Sequence, residues 1–184
     1  MLPEGRFSVI YADPPWGYDN KSPSASARPH GFSAGAEYYY DTMSIEAIKS
    51  LPVKDASARN AVCFLWAVVP MLPDAIGVLG AWGYKYKTML TWHKHGTSGM
   101  GYWFRGFTEH LLLGVRGDVK AFRSMKPNVV YARVGAHSAK PPEFYSMIEA
   151  VTHGPRLELF ARSGRPGWTA WGNEMPQVGK NDAR

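Results

Sequence analysis

The chain has 184 residues, 45% hydrophobic and 14% aromatic, enough to bury the core of one domain spanning 1–184. A single cysteine, Cys63, excludes a disulfide framework or a cysteine-rich zinc site, and the longest apolar stretch, Ala61 to Leu72, carries Pro70 and is too short to span a bilayer. The formal charge of +6 and a pI near 9.4 favour a polyanionic partner; with no charged–apolar–small leader at Met1, a soluble cytoplasmic protein is expected.

Phe7 to Ala12 is a short apolar run with aromatic and β-branched members, which predicts a buried strand. Asp13-Pro14-Pro15-Trp16 stops it, because neither proline can donate to a sheet ladder and Pro14 holds Asp13 extended. Residues 17–41 are irregular and end in Tyr38-Tyr39-Tyr40, so an active-site lid is expected there. Asp41, Thr42 or Ser44 can cap a short helix with Ile45, Ile48 and Leu51 on its apolar face, ended by Pro52. Ala61 to Val69 predicts a second buried strand. Met71 to Leu79 predicts a helix with Met71, Ala75, Ile76 and Leu79 inward and Gly80 at its end. Strands are expected at Tyr84–Trp92, Phe107–Val115, within Met125–Val134 and at Arg156–Ala161. Pro141 and Pro142 suit the first turn of a helix running to about Thr152 with Phe144, Met147, Ile148 and Val151 inward, and residues 175–184 read as a loose tail. Strands alternating with helices predict an α/β sheet with helices on its faces.

Asp13 and the proline-held carbonyl of Pro14 would stand at the exposed end of a core strand, where open α/β sheets bind ligands. An exocyclic ring amine such as N6 of adenine is a poor nucleophile, because its lone pair is delocalised. Two preorganised acceptors for its N–H groups would favour a pyramidal nitrogen, and Trp16 offers a face for the base. The alternative is a strand-ending turn. From Ala81 to Lys140 ten cations (Lys85, Lys87, Lys94, Arg105, Arg116, Lys120, Arg123, Lys126, Arg133, Lys140) face only Glu109 and Asp118, with aromatics interleaved, which fits nucleic acid or else a solvated lysine-rich surface. Lys140 near a helix start is unfavourable unless an anion lies close. A ligand carboxylate or phosphate would remove that conflict. Glu158 inside an apolar strand needs a partner, either Arg162 or a ligand; with Arg162, Asn173 and Glu174 it could form a polar fringe for ribose hydroxyls and an amino-acid moiety. The Gly-x-Gly spacing near Gly99 lacks the rest of a dinucleotide fingerprint, and His93-x-His95 has no carboxylate or cysteine nearby in sequence, so no metal is expected.

Four stretches in order, Asp13–Trp16, Trp103–Gly117, Ser138–Glu149 and Leu157–Glu174, resemble the MT-A70 family of S-adenosylmethionine-dependent adenine-N6 methyltransferases from about residue 7 to 174. The resemblance implies a Rossmann-like sheet, circularly permuted so that the catalytic strand precedes the cofactor strand. It implies that Asp13, Pro14, Pro15 and Trp16 serve the target amine, and that Ala12, Asp13, Lys140, Glu158, Phe160, Arg162, Asn173 and Glu174 contact S-adenosylmethionine. Ser163-Gly164-Arg165 departs from relatives with His-Asn after the arginine, which leaves the methionine end of the cofactor unassigned. A compact prokaryotic or phage-type enzyme follows, with Trp16, Tyr38, Tyr39, Lys94 and Arg105 holding an adenine-bearing nucleic acid, DNA ahead of RNA. Pairing with a second copy stays open, as do a catalytically silent nucleic-acid-binding subunit and a methyltransferase for RNA or a protein amide.

Overall fold

The computed structural model describes residues 1–17, 42–96, 103–122, 124–135 and 139–172. Chain order is β1 (Phe7–Ala12), α1 (Ile45–Ser50), α2 (Val53–Ala56), β2 (Ser57–Val68), α3 (Leu72–Ala81), β3 (Lys85–His95), β4 (Thr108–Arg116), β5 (Val129–Arg133), α4 (Pro142–Val151), β6 (Arg156–Leu159) and β7 (Thr169–Trp171). The strands form one sheet in the order β5-β3-β4-β2-β1-β6-β7. Its pairings are parallel except at β4, which runs antiparallel to both β2 and β3.

Alternating side chains along the strands build two cores, as a period of two requires when both faces are covered. Ile10, Ala12, Cys63, Leu65, Leu112 and Leu157 meet α1–α3 through Ile48, Val53, Val78 and Leu79. Val9, Tyr11, Phe64, Trp66, Leu111 and Trp92 meet α4 through Phe144 and Ile148. Helices thus cover both faces, and the α/β reading holds.

Local chemistry explains the helix starts. Ser44 Oγ accepts from the Ala47 N–H at 3.1 Å, leaving a cap of the expected kind on α1. Prolines at the head of α4 preset its first φ angles and give up donors that would be unpaired anyway.

Several expectations need correction. Beta 2 starts four residues early, at Ser57, because its polar opening still pairs at Phe7. Helix α3 runs through Gly80 to Ala81, with Gly83 taking the positive φ; Ile76 faces solvent rather than the core, and Val78 takes the inward place. The last strand expected, β6, stops at Leu159, and β7 was not expected at all.

Candidate active site at the carboxyl edge of the sheet

Beta 1 and β6 are parallel neighbours whose connections leave in opposite senses. The chain passes from β1 through α1 and α2 to β2 on one side. It arrives at β6 from α4 on the other face, and continues outward to β7. A crevice forms beyond the carboxyl ends of strands at such a switch point. Asp13 follows β1 there, and Glu158 and Phe160 stand at the end of β6. Because β4 is antiparallel, its first residues reach the same edge, where Glu109 pairs in register with Val68. Lys94 arrives on the end of β3.

These groups form a chain of charges. Lys140 Nζ lies 3.0 Å from Asp13 Oδ2 and 3.3 Å from Glu109 Oε2, and Lys94 Nζ bonds the other Glu109 oxygen. Lys140 also sits over the Trp66 ring, 5.3 Å from its centroid, and Lys94 over Trp92 at 5.4 Å. Burial pushes the Glu109 carboxyl up, but the two ammonium groups outweigh it and hold the group below the usual carboxylate range. Burial pulls Lys140 down, and Asp13 with Glu109 more than restores it, so its ammonium is held above the ordinary lysine value. Lys140 therefore finds two anions inside the chain, Asp13 and Glu109. Glu109 supplies one of them, a role its place in an apolar strand only hinted at.

Trp16 is also placed differently from expectation. It is 5% exposed and packs in the core on the α1–α3 side, with its indole N–H donating to the Trp66 carbonyl at 3.0 Å. The ring anchors the Asp-Pro-Pro turn instead of offering an open stacking face. The turn is held further by Trp16 N–H to the Pro14 carbonyl (2.9 Å) and Met43 N–H to the Pro15 carbonyl (2.9 Å). One of the two acceptor sites on the Pro14 oxygen is thus occupied. A parallel β-bridge joins Trp16 to Met43. The expected lid with Tyr38 and Tyr39 lies outside the described residues, as do Asn173, Glu174 and the tail 175–184.

At β6, Glu158 accepts a hydrogen bond from the Tyr145 hydroxyl at 2.7 Å. Burial raises its carboxyl above the usual range, and the tyrosine bond only partly opposes this. Tyr145 packs at a tilt against Tyr11, whose hydroxyl accepts from Trp66 Nε1 at 2.6 Å, so one aromatic layer joins Glu158 to the floor under Lys140. Phe160 takes φ of 62°, rare for a residue with a side chain and typical of strained functional turns. Ala12 is fully buried beside it in the sheet, and Arg162 is exposed on the turn that follows. Arg165 is tied to Glu149 at 2.9 Å, and Trp168 Nε1 donates to the same carboxylate, which fixes the segment after β6 against α4. Arg105 is exposed next to Trp103 and Phe104 near the head of β4.

Glu158 is a partly buried carboxylate beside the strained Phe160 turn, on the strand next to the one that Asp13 follows. Among the described residues no group of three or more His, Cys, Asp or Glu could hold a metal. A cavity of about 310 Å³ lined by Ser8, Asn60, Val62, Lys120 and His153 lies at the opposite end of the sheet and contributes nothing here.

Residues 7–174 match the family model described as MT-A70. The chain is 29% identical over 192 residues to the type II methyltransferase M.MunI of a Mycoplasma species, covering 96% of this chain and 81% of that protein. It is 31% identical over 184 residues to a putative N(6)-adenosine-methyltransferase MT-A70-like protein of Medicago truncatula, and 29% identical over 185 residues to the human N(6)-adenosine-methyltransferase catalytic subunit METTL3. Each of these two alignments takes in 95% of this chain, but only 27% and 29% of the longer relatives. The chain belongs to the MT-A70 family, and is a methyltransferase of that family.

Proposed function

We propose that the protein transfers a methyl group from S-adenosylmethionine to N6 of adenine in a nucleic acid, with DNA the preferred polymer. The observation that carries this reading is the position of Asp13. It stands at the carboxyl end of β1, paired with Lys140, beside the strand whose Glu158 lies in register with Tyr11. The cofactor supplies a methyl on a sulfonium whose departing thioether is neutral, so no nucleophilic side chain is required. Asp13 and the remaining acceptor site on the Pro14 oxygen would take the two N–H groups of the target amine and turn its lone pair toward the methyl. Lys140 holds Asp13 through Oδ2 and keeps the acceptor in one orientation. Glu158 would accept from ribose hydroxyls, and Ala12, Phe160 and Arg162 would line the same side, with Asn173 and Glu174 expected to join them. The strand carrying Asp13 precedes β6 in sequence, which supports the permuted order. DNA is preferred because a relative matched over 81% of its own length is named a type II methyltransferase, whereas the two N(6)-adenosine relatives given above are matched over less than a third of theirs.

The test is transfer of labelled methyl from S-adenosylmethionine to DNA, RNA and protein, offered in parallel to wild type and Asp13→Ala. Label at adenine N6, lost by about a hundredfold in turnover in the variant while cofactor affinity persists, is the expected result. Label only in protein, or cofactor bound with no transfer to any polymer, overturns it.

A further inference from the structure

A row of three rings crosses the β5 edge of the sheet at the same carboxyl end. His93 and Tyr131 are register partners on β3 and β5, with centroids 5.0 Å apart and planes tilted by 44°. Phe107, just ahead of β4, lies nearly parallel to His93 at 6.1 Å. His93 Nδ1 makes no hydrogen bond among the described residues, so ring contacts, not polar bonds on that nitrogen, hold the imidazole between its neighbours. Strand alternation turns Val130 and Ala132 into the α4-side core and Tyr131 outward. Tyr131 remains 71% exposed and Phe107 42%. Exposed aromatic surface in a row marks an interaction face.

The charge around that row identifies the occupant. Arg105 and Arg133 are exposed beside it. Of the two acidic residues between Ala81 and Lys140, Glu109 is already compensated by Lys94 and Lys140, and Asp118 lies at the other end of the sheet, bonded to Asn60 through its N–H. A second copy paired symmetrically through this face would bring arginines onto arginines. A partner with many negative charges and flat faces satisfies both features, and unpaired bases on a phosphate backbone present both together. We propose that Tyr131, His93 and Phe107, flanked by Arg105 and Arg133, form a stacking platform for unpaired nucleotides flanking the target adenine, at the sheet edge that β3, β4 and β2 separate from β1. This rests on the nucleic-acid reading above, and adds that the substrate is single-stranded or locally unstacked where it crosses the β5 edge.

The experiment uses the full chain and a single-stranded DNA oligonucleotide with one adenine and 2-aminopurine at successive flanking positions. Wild type is expected to quench the probe at one or two flanking positions. Tyr131→Ala and Phe107→Leu should abolish that quenching and raise the oligonucleotide KM about tenfold each, with kcat and S-adenosylmethionine affinity unchanged. Tyr131→Phe should restore both readouts. Unchanged quenching and KM in Tyr131→Ala, in an enzyme that still methylates the oligonucleotide, would overturn the platform and leave the function standing. So would sedimentation showing that Tyr131→Ala turns a dimer into a monomer. Tyr131-dependent quenching without any methyl transfer would support the platform and remove the proposed function; no oligonucleotide binding at all would remove both.

Discussion

Glu109 and Glu158 are two carboxylates on one edge of the sheet, on β4 and β6, and their surroundings push them in opposite directions. Glu109 is buried with two ammonium groups, so its folded value lies below its ordinary 4.5. A lowered acid contributes stability above its unfolded value and loses it as pH falls through the folded one. Lys140 is raised, so its contribution is complete below the ordinary 10.5 and disappears as pH climbs through the higher folded value. Urea titrations should therefore show stability falling on the acid side below about pH 4.5 and again above about pH 10.5. Glu109→Gln leaves Lys94 and Lys140 short of a buried anion. A loss of about 3 kcal/mol at neutral pH, with a shallower acid limb, is expected; an unchanged midpoint would show that the pair is screened. Glu158 behaves inversely, because burial favours its protonated form. Glu158→Gln keeps an acceptor for Tyr145 and removes a desolvated charge. Its melting temperature should match or exceed wild type, while S-adenosylmethionine affinity by calorimetry falls roughly tenfold, the difference between a charged and a neutral acceptor.

The turn after β6 shows how a short element governs the crevice. Ala161 N–H bonds the Trp171 carbonyl at 2.9 Å, tying β7 to the strained Phe160 position. Gly172 follows at once, and a Cβ there would intrude on the Ala161 carbonyl and amide, both rigid backbone. Gly172→Ala should push β7 off the turn, costing about 2 kcal/mol and weakening cofactor binding. Gly164→Ala, with open space around it, should change neither in the same denaturation and calorimetry runs. Beta 7 was illegible in sequence because three residues, one of them exposed, carry no periodicity. By contrast β1 was read to the residue, since burial on both faces leaves a run that is apolar but for Ser8 and is stopped by Asp13-Pro14-Pro15. The place of Asp13 just past the strand end was legible for the same reason. The burial of Trp16 was not, because it depends on a carbonyl presented by β2, and the pairing of Lys140 with Glu109 depends on β4 running against its neighbours. Neither direction nor strand order leaves a local trace.

Seen across the whole molecule, the basic stretch read as one patch is divided by the fold. Beta 3 starts with Lys85 and Lys87 at the far end of the sheet and finishes with Lys94 and His95 at the Asp13 end; β4 runs back and carries Arg116 to the far end, where its guanidinium donates to the Lys54 carbonyl at 2.6 Å. Lys120 belongs to that far end too. At the Asp13 end stand Lys94 and Lys140, neutralised by Glu109 and Asp13, together with exposed Arg105 and Arg133. Phosphates approaching the crevice would meet the second pair of cations, not the first. Each phosphate neutralised releases condensed counterions, so log K falls with log salt by a little under one per contact. Oligonucleotide binding measured across a salt series should give a slope that drops by about one in Arg105→Ala and again in Arg133→Ala. Lys85→Ala removes the same formal charge at the far end and should leave the slope unchanged. Equal effects from all three would mean that net charge alone attracts the polymer, and that the carboxyl edge has no privileged share in holding it.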